Sequence, residues 1–125
     1  MNLVDSSGWL EYFADGLNAK FFATPLKKID ELVVPTISIY EVFKSVIRQR
    51  GDSAGLQAVA VMKQGQVIDL TTDISMIAAK LSLTHNIPMA DSIILATGRF
   101  HQATVWTQDA DFKGLEGVEY IRKKK

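Results

Sequence analysis

Short apolar runs alternate along the chain with longer stretches whose apolar positions recur every three to four residues. The first run, residues 1–5, predicts a buried strand ending on an acid, Asp5. Residues 6–14 then place Trp9, Leu10 and Phe13 on one helical face. Residues 21–29 predict a second helix, complicated by Pro25, which lacks an N–H. Leu32, Val33 and Val34 predict a second strand. The clearest stripe runs over residues 38–50, where Ile39, Val42, Phe43, Val46 and Ile47 share one face and Gly51 supplies a stop. Residues 53–63 predict a weakly amphipathic helix and residues 67–70 a third strand. A helix over 73–85 ends at Asn86 and Pro88, and one over 91–100 is apolar nearly all round, hence buried. Residues 103–106 and 118–121 predict the last strands. This alternation predicts one α/β domain over residues 1–125, a mostly parallel sheet of four to five strands flanked by helices.

Composition narrows the chemistry. The 125 residues are 47% apolar and 22% charged, an ordinary globular balance. The absence of cysteine excludes disulfides, thiolate zinc sites and cysteine nucleophiles. No apolar run approaches the roughly 20 residues that span a bilayer. The opening residues lack the basic start and apolar stretch of a signal peptide, so a soluble, cytoplasmic chain with no membrane partner is expected. Formal net charge is zero. A nucleic-acid ligand therefore needs a local basic patch or a bound metal to draw it in.

The acids carry the candidate chemistry. Singly, each has a local explanation. Asp5 opens a helix as an N-cap. Ser38-Ile39-Tyr40-Glu41 has the spacing of a capping box. Asp91 starts a helix just after Pro88, and Asp109 and Asp111 sit in a turn. Together they mean more. Asp5 and Asp109 follow strands, and Glu41 and Asp91 open helices. In an open parallel sheet these places share the carboxyl edge, where ligands bind. Converging carboxylates repel one another and raise each other's pKa, so a fold that gathers them neutralises them with cations. Hard oxygen ligands select magnesium or manganese, one ion or two. Such a site suits phosphodiester hydrolysis without a histidine or lysine base. Ser6 and Thr107 supply hydroxyls to orient ligands or a phosphate oxygen.

Four stretches in order resemble the PIN-domain ribonucleases, in particular the VapC-like toxins of toxin–antitoxin pairs. They are Leu3-Val4-Asp5-Ser6-Ser7-Gly8-Trp9-Leu10, Ser38-Ile39-Tyr40-Glu41-Val42, Met89-Ala90-Asp91-Ser92-Ile93-Ile94-Leu95-Ala96 and Trp106-Thr107-Gln108-Asp109-Ala110-Asp111-Phe112. The resemblance covers essentially the whole chain. It implies a magnesium- or manganese-dependent endoribonuclease that leaves a 5′ phosphate, with Asp5, Glu41, Asp91 and Asp109 as metal-binding catalytic acids. Ser6, Thr107 and Asp111 stand behind them, Asp111 being a ligand or only the support of its turn. It implies an RNA substrate, a homodimer and a cognate antitoxin that inserts a segment near the site.

Of the basic residues, Arg48 shares a helical stripe with Glu41 and Ser45, and Lys113 follows the fourth motif, so both are candidate RNA contacts. The closing run Arg122-Lys123-Lys124-Lys125 frays in solvent or adds nonspecific attraction to a phosphate backbone. His85 and His101 read as structural, and Trp9, Tyr12 and Phe13 as core or interface. Two other functions compete. A PIN-like module that binds RNA or a partner without cutting has no reason to keep repelling acids. A phosphoacceptor receiver domain needs paired acids after the first strand and a lysine after a later one, where this chain has Asp5-Ser6-Ser7 and Thr107-Gln108-Asp109. A dinucleotide-binding enzyme needs a G-x-G-x-x-G or phosphate-loop motif that does not occur.

Overall fold

Five short strands rich in valine and leucine build the centre of the molecule: β1 (Asn2–Val4), β2 (Leu32–Pro35), β3 (Gln66–Ile68), β4 (Thr104–Thr107) and β5 (Val118–Tyr120). They lie in the order β3-β2-β1-β4-β5, and every pairing is parallel. The sheet is thus entirely parallel, because each link crosses over the sheet and none is a tight hairpin. Residues 1–124 are described in the computed structural model of the chain; Lys125, the end of the basic closing run, lies outside them.

Alternation along the strands sorts the core into two layers. Leu3, Val33 and Val105 face α5 (Thr72–His85) and α6 (Met89–Phe100), packing with Ile74, Leu81, Ile94 and Leu95. Val4, Leu32 and Val34 face the other way, onto α1 (Ser6–Phe13), α2 (Ala19–Leu26), α3 (Thr36–Arg50) and α4 (Asp52–Met62). Trp9, Phe22, Val42 and Met62 fill that second layer. Trp9 is buried in the core and stacks on Phe13 with centroids 5.6 Å apart, while Tyr12 and Phe13 pack half-buried against the same layer. Among the described residues no helix is long and apolar enough to cross a membrane.

Three helix starts differ from the sequence pattern. Helix α2 begins at Ala19, two residues early, and Pro25 sits in its last turn, where the lost backbone bond ends the helix rather than breaking it. Helix α3 begins at Thr36, directly after Pro35, whose fixed φ of −67° suits the junction. The capping box expected at Ser38 and Glu41 is therefore absent: Ser38 is buried in the first turn with its hydroxyl unpartnered. Helix α6 likewise starts at Met89, so Asp91 lies inside its first turn and is not the cap. Gly51, at φ 89°, separates α3 from α4 in a conformation that favours glycine.

The chain builds β1, β2 and β3 outward, then returns across the sheet to lay β4 on the other side of β1. That reversal opens a crevice beyond the carboxyl ends of β1 and β4. Helix α1 leaves β1 at this point and must pass close over it. Gly8 allows the approach: a Cβ there would stand 2.6 Å from Val4 Cγ1 and from Phe22 Cε1, both fully buried. Gly8→Val is expected to cost about 2–3 kcal/mol through overpacking. In a domain of this size that lowers Tm by roughly 10 °C. A thermal melt in EDTA checks it, and an unchanged Tm would mean that α1 can lift off the sheet freely.

Candidate metal centre

Asp5 follows β1 and is the N-cap of α1. The cap reading of this residue holds, and its side chain does more than cap. Oδ1 accepts from the Gly8 backbone N–H at 2.8 Å and from the Ser7 hydroxyl at 2.8 Å. Oδ2 accepts from the Thr107 hydroxyl at 2.6 Å. That last bond ties the end of β1 to the end of β4. Thr107 Oγ1 also accepts from the Asp109 backbone N–H at 2.9 Å, which fixes the chain just beyond the strand. Asp109 Oδ1 in turn accepts from the Asp111 N–H at 2.9 Å, starting the short 3-10 turn Ala110–Phe112.

The turn brings two acids to the first turn of α6. Carboxylate oxygens of Asp91, Asp109 and Asp111 all lie within 4.8 Å of one another. Asp5 adjoins the same group, since its charge acts on Asp91 and Asp109 acts on it. Asp111 therefore stands beside Asp109 in this cluster as well as supporting the turn. Glu41 is placed differently. It lies on the second turn of α3, outside that close group, where Oε1 accepts from the Ser6 hydroxyl at 2.6 Å. Ser6 follows Asp5 directly, so the second motif reaches the site through the first.

Electrostatics mark the cluster as uncomfortable without a cation. Burial pushes the Asp5 carboxyl up from 3.8 to about 6. Bonds from Thr107, Gly8 and Ser7 pull it back part of the way, and the Asp109 charge adds to the rise. Asp91 is pushed further, to about 8, again by burial first. The charge of Asp109, a hydrogen bond to Asp111 that favours the protonated form, and the charges of Asp111 and Asp5 all add to it. Both acids sit at helix N-termini, which favour the ionised form, and the shifts are upward nonetheless.

The donor set fits a hard divalent cation. It is all carboxylate oxygen, and the group of converging acids contains neither histidine. Asp5, Asp91, Asp109 and Asp111 are the residues able to hold one. Neither candidate RNA contact is bonded to the acids among the described residues. Arg48 is exposed on α3, and Lys113 holds its Nζ 5.9 Å from the ring of Tyr120.

Three residues at this site escaped the sequence reading. Ser7 carries the alternation of small hydroxyl residues after Asp5 but gives no signal of which one bonds the acid. Gln108 is buried between Thr107 and Asp109, and Asn18, buried in the α1–α2 link, bonds it from 90 residues away in sequence. Nothing local in the sequence marks such a pair.

No curated protein matches the chain by sequence. In fold it is similar to a chain of a toxin–antitoxin complex from Klebsiella pneumoniae, at 21% identity and TM-score 0.81, covering 95% of this chain and 96% of that one. It is similar to VapC20 of Mycobacterium tuberculosis, a sarcin–ricin loop cleaving toxin, at 17% identity and TM-score 0.76, covering 93% and 95%. It is also similar to FitAcB from Neisseria gonorrhoeae, at 17% identity and TM-score 0.72, covering 98% and 97%. The PIN domain model matches residues 3–118, a stretch that runs from β1 into β5 and holds all five acids. The chain belongs to the PIN-domain family.

Proposed function

We propose that the chain is a metal-dependent endoribonuclease acting as the toxin of a toxin–antitoxin pair. One observation carries the reading: four aspartates are gathered at the switch point of the sheet although their mutual repulsion and burial raise the pKa of two of them. A purely structural carboxylate is better placed in solvent. The similar folds of toxin–antitoxin chains support the same reading.

Asp5, Asp91 and Asp109, with Asp111 beside them, would hold magnesium or manganese, one ion or two, and Glu41 would complete the acidic set. A divalent ion there supplies an activated water and stabilises charge on the phosphate. The chain's own groups keep the ligands aimed. Thr107 and Ser7 hold Asp5 between them, and Ser6 holds Glu41. Lys113, just past the turn that carries Asp109 and Asp111, and Arg48, two turns beyond Glu41 on α3, are the candidate cations for RNA phosphates. A groove of about 510 Å³ runs between α1, α3 and α4, floored by Leu10, Phe13 and Val46. It reaches Ser7 and Gln108, neighbours of the acids, and suits an antitoxin segment laid along it. The homodimer belongs to the same reading, with exposed Met76 and Leu83 two turns apart on α5 as an apolar strip for it. The cytoplasm is the expected compartment for such a pair.

Purified protein, freed of antitoxin, is expected to cut a mixed RNA pool in manganese or magnesium and to be silent in EDTA. Asp91→Asn is expected to lower the rate by at least a hundredfold while leaving the fold intact. Cleavage that persists in EDTA, or in Asp91→Asn, would remove the carboxylate site as its source.

Stability should report the same cluster. The folded chain holds the protons of Asp5 and Asp91 more tightly than the unfolded chain does. Their contribution is therefore fully present below 3.8 and is lost as pH rises through about 6 and about 8. In EDTA, the Tm of Asp91→Asn is expected to match wild type near pH 4 and to exceed it by a few degrees at pH 8. After allowance for solvent screening of this half-buried group, that is about 1 kcal/mol. Asp5→Asn should not stabilise, because the Thr107 hydroxyl would lose its acceptor. A paired pH series of melts checks both; a variant that melts below wild type at pH 8 would leave Asp91 with a structural role alone.

A further inference from the structure

Beyond the acids, one buried polar pair has no part in the fold's two apolar layers: Asn18, outside the four motifs, and Gln108, a position of the fourth that carries no acid. Asn18 is 2% exposed and Gln108 6% exposed. Asn18 Nδ2 donates to Gln108 Oε1 at 2.9 Å and to the Arg122 backbone oxygen at 3.1 Å. The second partner can only accept, which fixes the orientation of the Asn18 amide. Its backbone N–H donates to Glu11 Oε2 at 2.8 Å, so the link between α1 and α2 is itself anchored. Among the described residues Asn18 Oδ1 has no hydrogen-bond partner. A buried acceptor left unmatched costs about 1–3 kcal/mol, which an apolar side chain at this place would avoid.

The position of Gln108 gives the amide a task. Thr107 and Asp109 flank it, and both belong to the acidic site through Asp5. Beyond Thr107 the strand pairing of β4 has ended, and the chain carries Asp109 into the turn on its own. Thr107 turns its hydroxyl toward Asp5, and Gln108 turns the opposite way, into Asn18. The short stretch 107–109 is thus gripped from both sides: by Asp5 on the site face and by Asn18 on the other. If Gln108 is released, one grip is gone, and Asp109 is held only by the Thr107 hydroxyl and its own turn.

We propose that Asn18 is a positioning residue for the carboxylate site, acting through Gln108 to set where Asp109 stands. The proposal rests on the nuclease reading for its consequence in catalysis, but the placement of Asp109 can be read without metal. Partners behind metal ligands are typically worth 10–100-fold in metal affinity.

The test uses Asn18→Leu, Gln108→Met and the double variant of the whole chain. Gln108→Met keeps the Arg122 bond and remains informative if Asn18→Leu does not fold. Manganese binding is measured by calorimetry, and the amide signal of Asp109 is followed by NMR in EDTA. Each single variant is expected to weaken manganese binding by about tenfold, and the double variant by the same tenfold rather than a hundredfold, because each already breaks the Asn18–Gln108 bond. The Asp109 amide is expected to shift in every variant without metal. Variants that lose Tm but keep wild-type manganese affinity and an unmoved Asp109 signal overturn the proposal and make the pair structural. Wild-type protein that binds no manganese, with the Asp109 signal still moved by Gln108→Met, keeps the positioning and removes the nuclease reading instead.

Discussion

Repulsion among acids at the ends of two neighbouring parallel strands is the constraint around which the rest of the molecule is arranged. Like charges this close cannot all ionise cheaply in a protein of low internal dielectric. Asp5 is held in place by donors from three different residues, Ser7, Gly8 and Thr107. Asp109 donates its N–H to the Thr107 hydroxyl and accepts the Asp111 N–H on its carboxylate. Asp91 rides on a helix whose next seven residues are all buried, so it has little room to withdraw. The groups are kept together by covalent and packed connections that repulsion cannot undo.

Most of the fold was legible because two periods are written clearly into the chain. Strands such as Leu32–Pro35 are apolar on both faces, as strands of a covered parallel sheet must be. Helices α3 and α6 show their stripes plainly. The errors lie at helix starts, and they share a cause. Ser38 and Asp91 look like caps because small polar residues usually are. Pro35 and Pro88 end the preceding segments two or three residues earlier, and their fixed φ lets the helix begin at once. Tertiary packing then decides the matter, since Ile37 is drawn into the layer beneath α6.

The acids were legible in the sequence, and so were two hydroxyls beside them, Ser6 and Thr107, but not the other supports. Strand ends and helix starts are visible in sequence, and the rule that they share one edge does the gathering. The correction at Glu41 sharpened that picture: freed from the capping box, it turns to Ser6 rather than to its own helix terminus. Asp111 went the other way, from a turn residue to a member of the close group. Ser7, Asn18 and Gln108 were invisible for a different reason. Each acts by one hydrogen bond to a distant partner, and a lone polar residue carries no periodic signal.

The local and the chemical explanations of these acids are not rivals. Asp5 caps α1 with one oxygen and takes the Thr107 hydroxyl on the other, and the two bonds together fix the plane of its carboxylate. Capping therefore orients the group for whatever else approaches it. The same bonds lower its pKa and, with the extra charges that act on Asp91, separate about 6 at Asp5 from about 8 at Asp91. Asp91 has no comparable set of donors. Its hydrogen bond to Asp111 favours the proton instead of expelling it. Burial and the neighbouring charges thus press the proton more firmly onto Asp91 than onto Asp5. Two like acids at two helix starts are set apart by the donors and the charges around them, and not by their own chemistry.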